Sequence, residues 1–169
     1  MTELSITECA VLGVLAEGPN HGFALARELG PEADLGRIFT VRRPLVYRAL
    51  DRLVDTGLAR RAHTERGESG PDRVIHRVTG RGRRRLERWL EEPVAHVRDI
   101  RIEFLLKLAL LRRADRSPAR LIAEQRRSLG PTFAALDEPG TTDHVEIWRR
   151  HNARAAEAYL DELADLFEP

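Results

Sequence analysis

The sequence predicts a mainly α-helical protein interrupted by one short β-hairpin, and three observations carry that expectation. Val46, Leu50, Leu53 and Val54 recur at helical spacing, so one face of their segment is apolar. Two short runs, Leu58–Ala62 and Val74–Val78, flank a charged stretch with glycines at 67 and 70, which is the pattern of strand, loop and strand. From Asp99 onward the apolar residues again fall at steps of three and four, broken by a Pro/Gly/Thr loop from Asp137 to Thr142.

Taken in order, Ser5-Ile6-Thr7-Glu8 fits a capping box that opens the first helix. Its run Ile6, Cys9, Ala10, Val11, Leu12, Val14 and Leu15 is apolar nearly all round. Such a helix must be buried on several sides, partly by a second subunit. Gly18-Pro19-Asn20 ends it, and His21-Gly22-Phe23 opens a short helix with Phe23, Ala24, Leu25 and Leu29 as apolar contacts. His21 stands where a helix N-terminus would approach a phosphate, or serves as a plain cap. Gly30-Pro31 stops that helix, and Gly57 stops the one containing Val46 to Val54. Thr79 caps a basic helix, Arg81 to Glu91, with Leu86, Trp89 and Leu90 on one side and an Arg83-Arg84-Arg85 run that is either solvated or in contact.

Ile100, Phe104, Leu105, Leu108 and Leu111 make a strongly apolar helix. Ser117-Pro118 starts another, along Leu121, Ile122, Gln125 and Leu129, which Gly130-Pro131 should interrupt. The last helix, about Asp143 to Phe167, carries a stripe of Val145, Trp148, Asn152, Ala155, Tyr159, Leu163 and Leu166. That stripe exceeds what a small helix hairpin needs and points to a partner. The expected domains are 1–92 and 93–169.

Charge is unevenly placed. From Arg37 to Arg88 there are fifteen arginines against six acids, a net of +9, whereas the 169-residue chain is only +1. A basic block in an otherwise acidic protein is an electrostatic footprint for a polyanion. Together with a helix docked by one face and a hairpin behind it, this is the arrangement of a winged helix-turn-helix with a two-stranded wing, in which the helix enters the major groove of double-stranded DNA. Arg42 and Arg43 then stand at the N-terminus of that helix and Arg48 and Arg52 on its groove-facing side, with Tyr47 at the flank. Arg66 at the wing tip and Arg73 on the returning strand are expected phosphate clamps, while Arg60, Arg61 and Arg77 stay ambiguous because alternate strand positions face opposite ways.

Other chemistries find little support. Cys9 is the single cysteine, which excludes an internal disulfide and a cysteine-rich zinc site. His144 and His151 with Glu146 on one helix offer too few convergent ligands, so no metal and no cofactor is expected. There is no nucleophile elbow, phosphate-binding glycine loop or nucleophile with a plausible base, which argues against an enzyme. Without a signal peptide or an apolar run of about 18 residues, the expectation is a cytoplasmic protein with no membrane partner.

Several motifs in order resemble the PadR-type transcriptional regulators. They are Pro19-x-His21-Gly22-Phe23, Val46-Tyr47-x-Ala49-Leu50-x-x-Leu53-x-x-x-Gly57-Leu58, Thr79-x-x-Gly82, and Arg98-Asp99 with Glu103-Phe104-Leu105-Leu106-Lys107. The resemblance covers about residues 4–110 by motif. Arg42-Arg43-Pro44-Leu45 departs from it, since many members carry small residues there, and so the operator sequence cannot be carried over. The resemblance implies that Tyr47 hydrogen-bonds backbone phosphate. It also implies that the C-terminal helices form a dimerisation region, with the last helix packing on the partner's N-terminal helix. A homodimer would set two recognition helices about 34–36 Å apart on an inverted-repeat operator. Members often respond to small aromatic or drug-like effectors, for which Trp89, Phe104 and Trp148 would line a pocket. The resulting expectation is a dimeric repressor. The alternative is a winged-helix protein-protein interaction module with weak DNA binding, and salt dependence separates the two.

Overall fold

The computed structural model describes residues 3–66, 72–136 and 143–167, so the expected wing-tip glycines and the 137–142 loop lie outside the described residues. The chain divides into two compact units, Met1–Leu90 and Glu91–Pro169.

In the first unit, α1 (Ile6–Glu17) opens with both halves of the capping box: Ser5 Oγ accepts from Glu8 N, and the Glu8 carboxylate accepts from Ser5 N at 2.7 Å. Every residue from Glu8 to Leu15 is buried within the single chain. Those eight residues therefore leave little of α1 for a second subunit to cover. A two-residue strand β1 (Asn20–His21) leads into α2 (Gly22–Glu28), then α3 (Asp34–Ile38) and α4 (Arg43–Asp55). Strands β2 (Ala59–Glu65) and β3 (Arg73–Val78) form the expected hairpin, and β1 adds to its far edge in the antiparallel order β1-β3-β2. Two residues are too few for a period-2 signal, which is why the third strand was not expected from the sequence. It ties the start of α2 to the wing through Asn20 opposite His76 and His21 opposite Ile75.

Helix α4 is set by Val46, Ala49, Leu50 and Leu53, all buried, mainly against α1 and α2. Gly57 ends it in the left-handed region (φ 69°), with Leu58 N donating to Leu53 O and Gly57 N to Val54 O. This is the paired closure of a Schellman motif, which glycine enters without Cβ strain. The turn into α5 (Gly80–Glu91) is equally specified. Thr79 Oγ1 donates to the carbonyls of Gly57 and Leu58 and accepts from Gly82 N, joining the start of α5 to the end of α4.

The second unit begins with a 3-10 turn (Val97–Asp99) and a π-turn (Ile100–Phe104), followed by α6 (Leu105–Arg113). The one expected helix is thus a π-turn that continues as α-helix. Lys107, fully buried, is held by Glu103 at 2.8 Å and by the Glu92 carbonyl at 2.7 Å. Helix α7 (Ala119–Leu136) runs straight through Gly130-Pro131, where the sequence had suggested an interruption. Pro131 forfeits one hydrogen bond, to the carbonyl of residue 127. Gly130, with no Cβ, lessens the crowding between the proline ring and the residue before it. Helix α8 (His144–Phe167) packs on α7 through Ala153, Ala156, Leu160 and Ala164, so small residues allow close approach. Gln125 on α7 is fully buried and pairs its amide with both backbone groups of Val94.

The stripe expected from the sequence on α8 is a second face. Val145, Trp148 and Leu166 are exposed, Trp148 by 69%, and Tyr159 is half-buried. One chain therefore covers only one of the two apolar faces of this helix.

Candidate nucleic-acid interface

The exposed side of α4 presents Arg43, Pro44, Tyr47, Arg48, Asp51 and Arg52 along one open groove. Its first turn carries no acid and no side-chain cap, so free N–H groups and the positive end of the helix dipole meet two arginines there. Such an end favours an anion.

Tyr47 lies across the start of α2. A Cβ built on Gly22 would stand 2.5 Å from Tyr47 Cε1, so the ring takes the space a side chain at 22 would need. At 41% exposure the ring is packed on one face and open on the other. His21 caps α2, its Nδ1 accepting from Ala24 N at 3.2 Å. That places the proton of the neutral imidazole on Nε2, as a donor. Its ring stacks on Phe23 (centroids 6.3 Å, planes 17° apart), and the Arg43 guanidinium lies over the other ring, 4.6 Å from the Phe23 centroid. Phe23 was expected as one of the apolar contacts of α2, but it is 49% exposed. Leu25, Ala26 and Leu29 are buried instead, and Phe23 lies off that stripe. The sequence signal for its role is faint: an aromatic directly after His-Gly.

Not every arginine of the basic block is free. Arg52 Nε pairs with the buried Glu8 Oε1 at 2.9 Å, so this side chain is anchored to α1 rather than simply presented to a groove. Arg81 Nη1 donates to the Thr56 carbonyl at the end of α4, and Arg83 Nη2 to the Ala16 carbonyl at the end of α1. Both sit at helix C-termini, where cations are favoured. The +9 count therefore overstates the charge available to a partner. Arg42 and Arg48 are exposed and, among the described residues, have no such partner.

In the wing, Arg60 and Arg77 face each other across β2 and β3, both exposed. Like charges directly opposite repel, a cost that a polyanion would relieve. Arg61 pairs with His76, and a bulge follows before His63. Arg73 stands opposite Glu65, whose carboxylate also meets His63 at 3.1 Å, so its charge is partly offset. Arg66 is exposed at the last described position before the tip. Behind the wing, His76 is buried with Nδ1 unpartnered among the described residues. Burial holds its imidazole below the ordinary pKa, with Arg61 adding to this and a Val74 backbone hydrogen bond and Asp51 opposing it.

Of the aromatic trio expected to line a pocket, Phe104 is fully buried, and Trp89 is buried in the first unit. Trp148 lines a cavity of about 820 Å³ in the second unit, beside His96, Arg98, Arg101, Arg149 and Asn152.

The first unit is a winged helix-turn-helix: an α1–α4 helical layer, a recognition helix held by one face, and a hairpin wing. Residues 11–88 match the transcriptional regulator PadR-like family, a likeness carried by this domain. A "Probable transcriptional regulator" of Mycobacterium tuberculosis is 30% identical over 89 residues, which is 53% of this chain and 46% of that protein. The chain thus spans about half the length of this curated relative. Bacillus subtilis PadR in complex with operator DNA superposes with a TM-score of 0.51 over 97% of this chain and 100% of that one, at 16% identity, a likeness of fold. The same protein in complex with p-coumaric acid gives 0.46 over 98% and 100%, also at 16% identity.

Proposed function

We propose that this protein is a sequence-specific DNA-binding transcriptional regulator, a dimeric repressor acting on an inverted-repeat operator. The observation that carries the reading is the open face of α4, where Arg43 and Arg48, with Arg42 at the N-cap, stand beside a half-open Tyr47, none of the three arginines in an ion pair among the described residues. Arginine at such a face can take guanine O6 and N7 together or clamp a phosphate, and a tyrosine hydroxyl can donate to phosphate oxygen. The uncovered stripe of α8 supports the dimer, because an apolar helix face of that length is costly to leave in water. A two-fold pair of such units calls for two half-sites in opposite orientation. The cavity beside Trp148 is the proposed seat of a small aromatic or drug-like effector that releases the operator.

The test is selection of bound duplexes from a random-sequence pool, followed by footprinting on the enriched site. The proposal requires an enriched inverted repeat with two protected segments one helical turn apart. Enrichment of a single unrepeated site would overturn the dimeric reading, and no enrichment at all would overturn DNA recognition.

A further inference from the structure

Phe23 lies off the buried stripe of α2, and its ring is 49% exposed. Two side chains are nonetheless set against the ring: the His21 imidazole lies near-parallel to it, and the Arg43 guanidinium sits 4.6 Å from its centroid. The His21 ring is itself fixed by its cap on α2. The stack thus runs from the start of α2 to the first residue of α4, ending on a guanidinium with no carboxylate partner among the described residues.

The three arginines of α4 that could face a groove are therefore held in three different ways. Arg52 is tied to Glu8, and Arg48 is unsupported. Arg43 is oriented by an aromatic ring that uses none of its five N–H donors. Reading a base edge demands a fixed planar fork, whereas a phosphate contact tolerates a mobile one. A guanidinium already held in place also loses less freedom on binding.

We propose that Phe23 is a specificity-positioning residue, which holds Arg43 as the arginine that reads a base edge and leaves Arg42 and Arg48 to phosphate. This rests on the DNA-binding reading above. The experiment starts with wild-type protein and the duplex selected from a random pool, so a failure of DNA binding is seen before any variant is made, and would remove this inference too.

With binding established, wild type, Phe23→Leu, Phe23→Tyr, Arg43→Ala and the Phe23→Leu/Arg43→Ala double variant are titrated against the selected duplex and against random-sequence duplex. Phe23→Leu should weaken binding to the selected duplex by about three- to fivefold while changing random-sequence binding by less than about 1.5-fold. Phe23→Tyr, which keeps the ring, should bind as wild type. In the Arg43→Ala background Phe23→Leu should have no further effect. An equal loss on both duplexes would mark Phe23 as merely structural. An undiminished loss without Arg43, or no loss at all, would also overturn the proposal.

Discussion

Arg48 and Arg52 lie one turn apart on α4, and replacing each by alanine should have opposite consequences. Arg52 Nε meets Glu8 Oε1 at 2.9 Å, the arginine side chain being 55% exposed and the glutamate side chain 4%. Two unit charges about 4 Å apart at an effective dielectric near 20 attract by about 4 kcal/mol before desolvation. An exposed pair retains only about 0.2–1 kcal/mol of this, while stripping the partner from a buried charge costs about 3–5 kcal/mol. With one end buried and the other half in water, and with Ser5 still donating to the carboxylate, Arg52→Ala should cost about 2 kcal/mol. In a chain of this size that lowers Tm by roughly 4–8 °C. Arg48 has no such partner, so Arg48→Ala should stay within about 0.5 kcal/mol of wild type in stability. Its cost falls on DNA affinity instead, about five- to a hundredfold if it contacts the duplex. Urea titration of both variants and of Glu8→Gln, alone and with Arg52→Ala, measures the coupling. Equal stability losses for Arg48→Ala and Arg52→Ala, or full additivity of Arg52→Ala with Glu8→Gln, would refute the assignment of Arg52 to α1.

Three further outcomes follow from the same geometry. A Cβ on Gly82 would stand 2.0 Å from the Leu58 carbonyl oxygen, which is backbone, whereas Gly18 has nothing within 4 Å. Gly82→Ala should cost more than about 3 kcal/mol and Gly18→Ala less than about 1, as read from urea midpoints. His76 is held below its ordinary pKa chiefly by burial, so the unfolded chain binds its proton first. The associated stability is complete above about pH 6.5 and is lost as pH falls from there towards the lower folded-state value. His76→Gln should therefore lose less stability than wild type between about pH 8 and pH 5, and equal losses would count against the burial argument. Leu166 on α8 is 68% exposed in the single chain, so Leu166→Glu should leave the helical circular dichroism intact while shifting sedimentation from dimer to monomer. An unchanged sedimentation coefficient would mean that this stripe is not the subunit contact.

The parts of the fold legible in the sequence were those written in local chemistry. Ser5 and Glu8 announced a helix start, Gly57 a helix end, Thr79 a cap, and the spacing of Val46, Leu50 and Leu53 a docked face. What stayed hidden depends on partners distant in the chain. Nothing near residue 52 shows that its guanidinium is spent on Glu8, and nothing near 81 or 83 shows that they close the ends of α4 and α1. A charge count treats all these arginines alike, and only tertiary contacts sort committed from free. The continuation of α7 through Gly130-Pro131 is not legible because both residues are helix breakers on average, whereas here the helix continues at the loss of one hydrogen bond. The apolar character of α2 does not separate Phe23 from its buried neighbours; its exposure follows from lying off the Leu25–Leu29 stripe.

The salt dependence of affinity for the selected duplex tests the central claim most directly. Arg42 and Arg48 in each subunit of the proposed dimer offer four cations to phosphate before the wing is counted, Arg43 being assigned to a base edge. Each neutralised phosphate contributes about −0.9 to the slope of log affinity against log salt. Saturable, competitor-resistant binding is expected, with a slope of about −3.6 or steeper between about 50 and 200 mM salt. A slope near zero, or no saturable binding at the lowest salt, would contradict it.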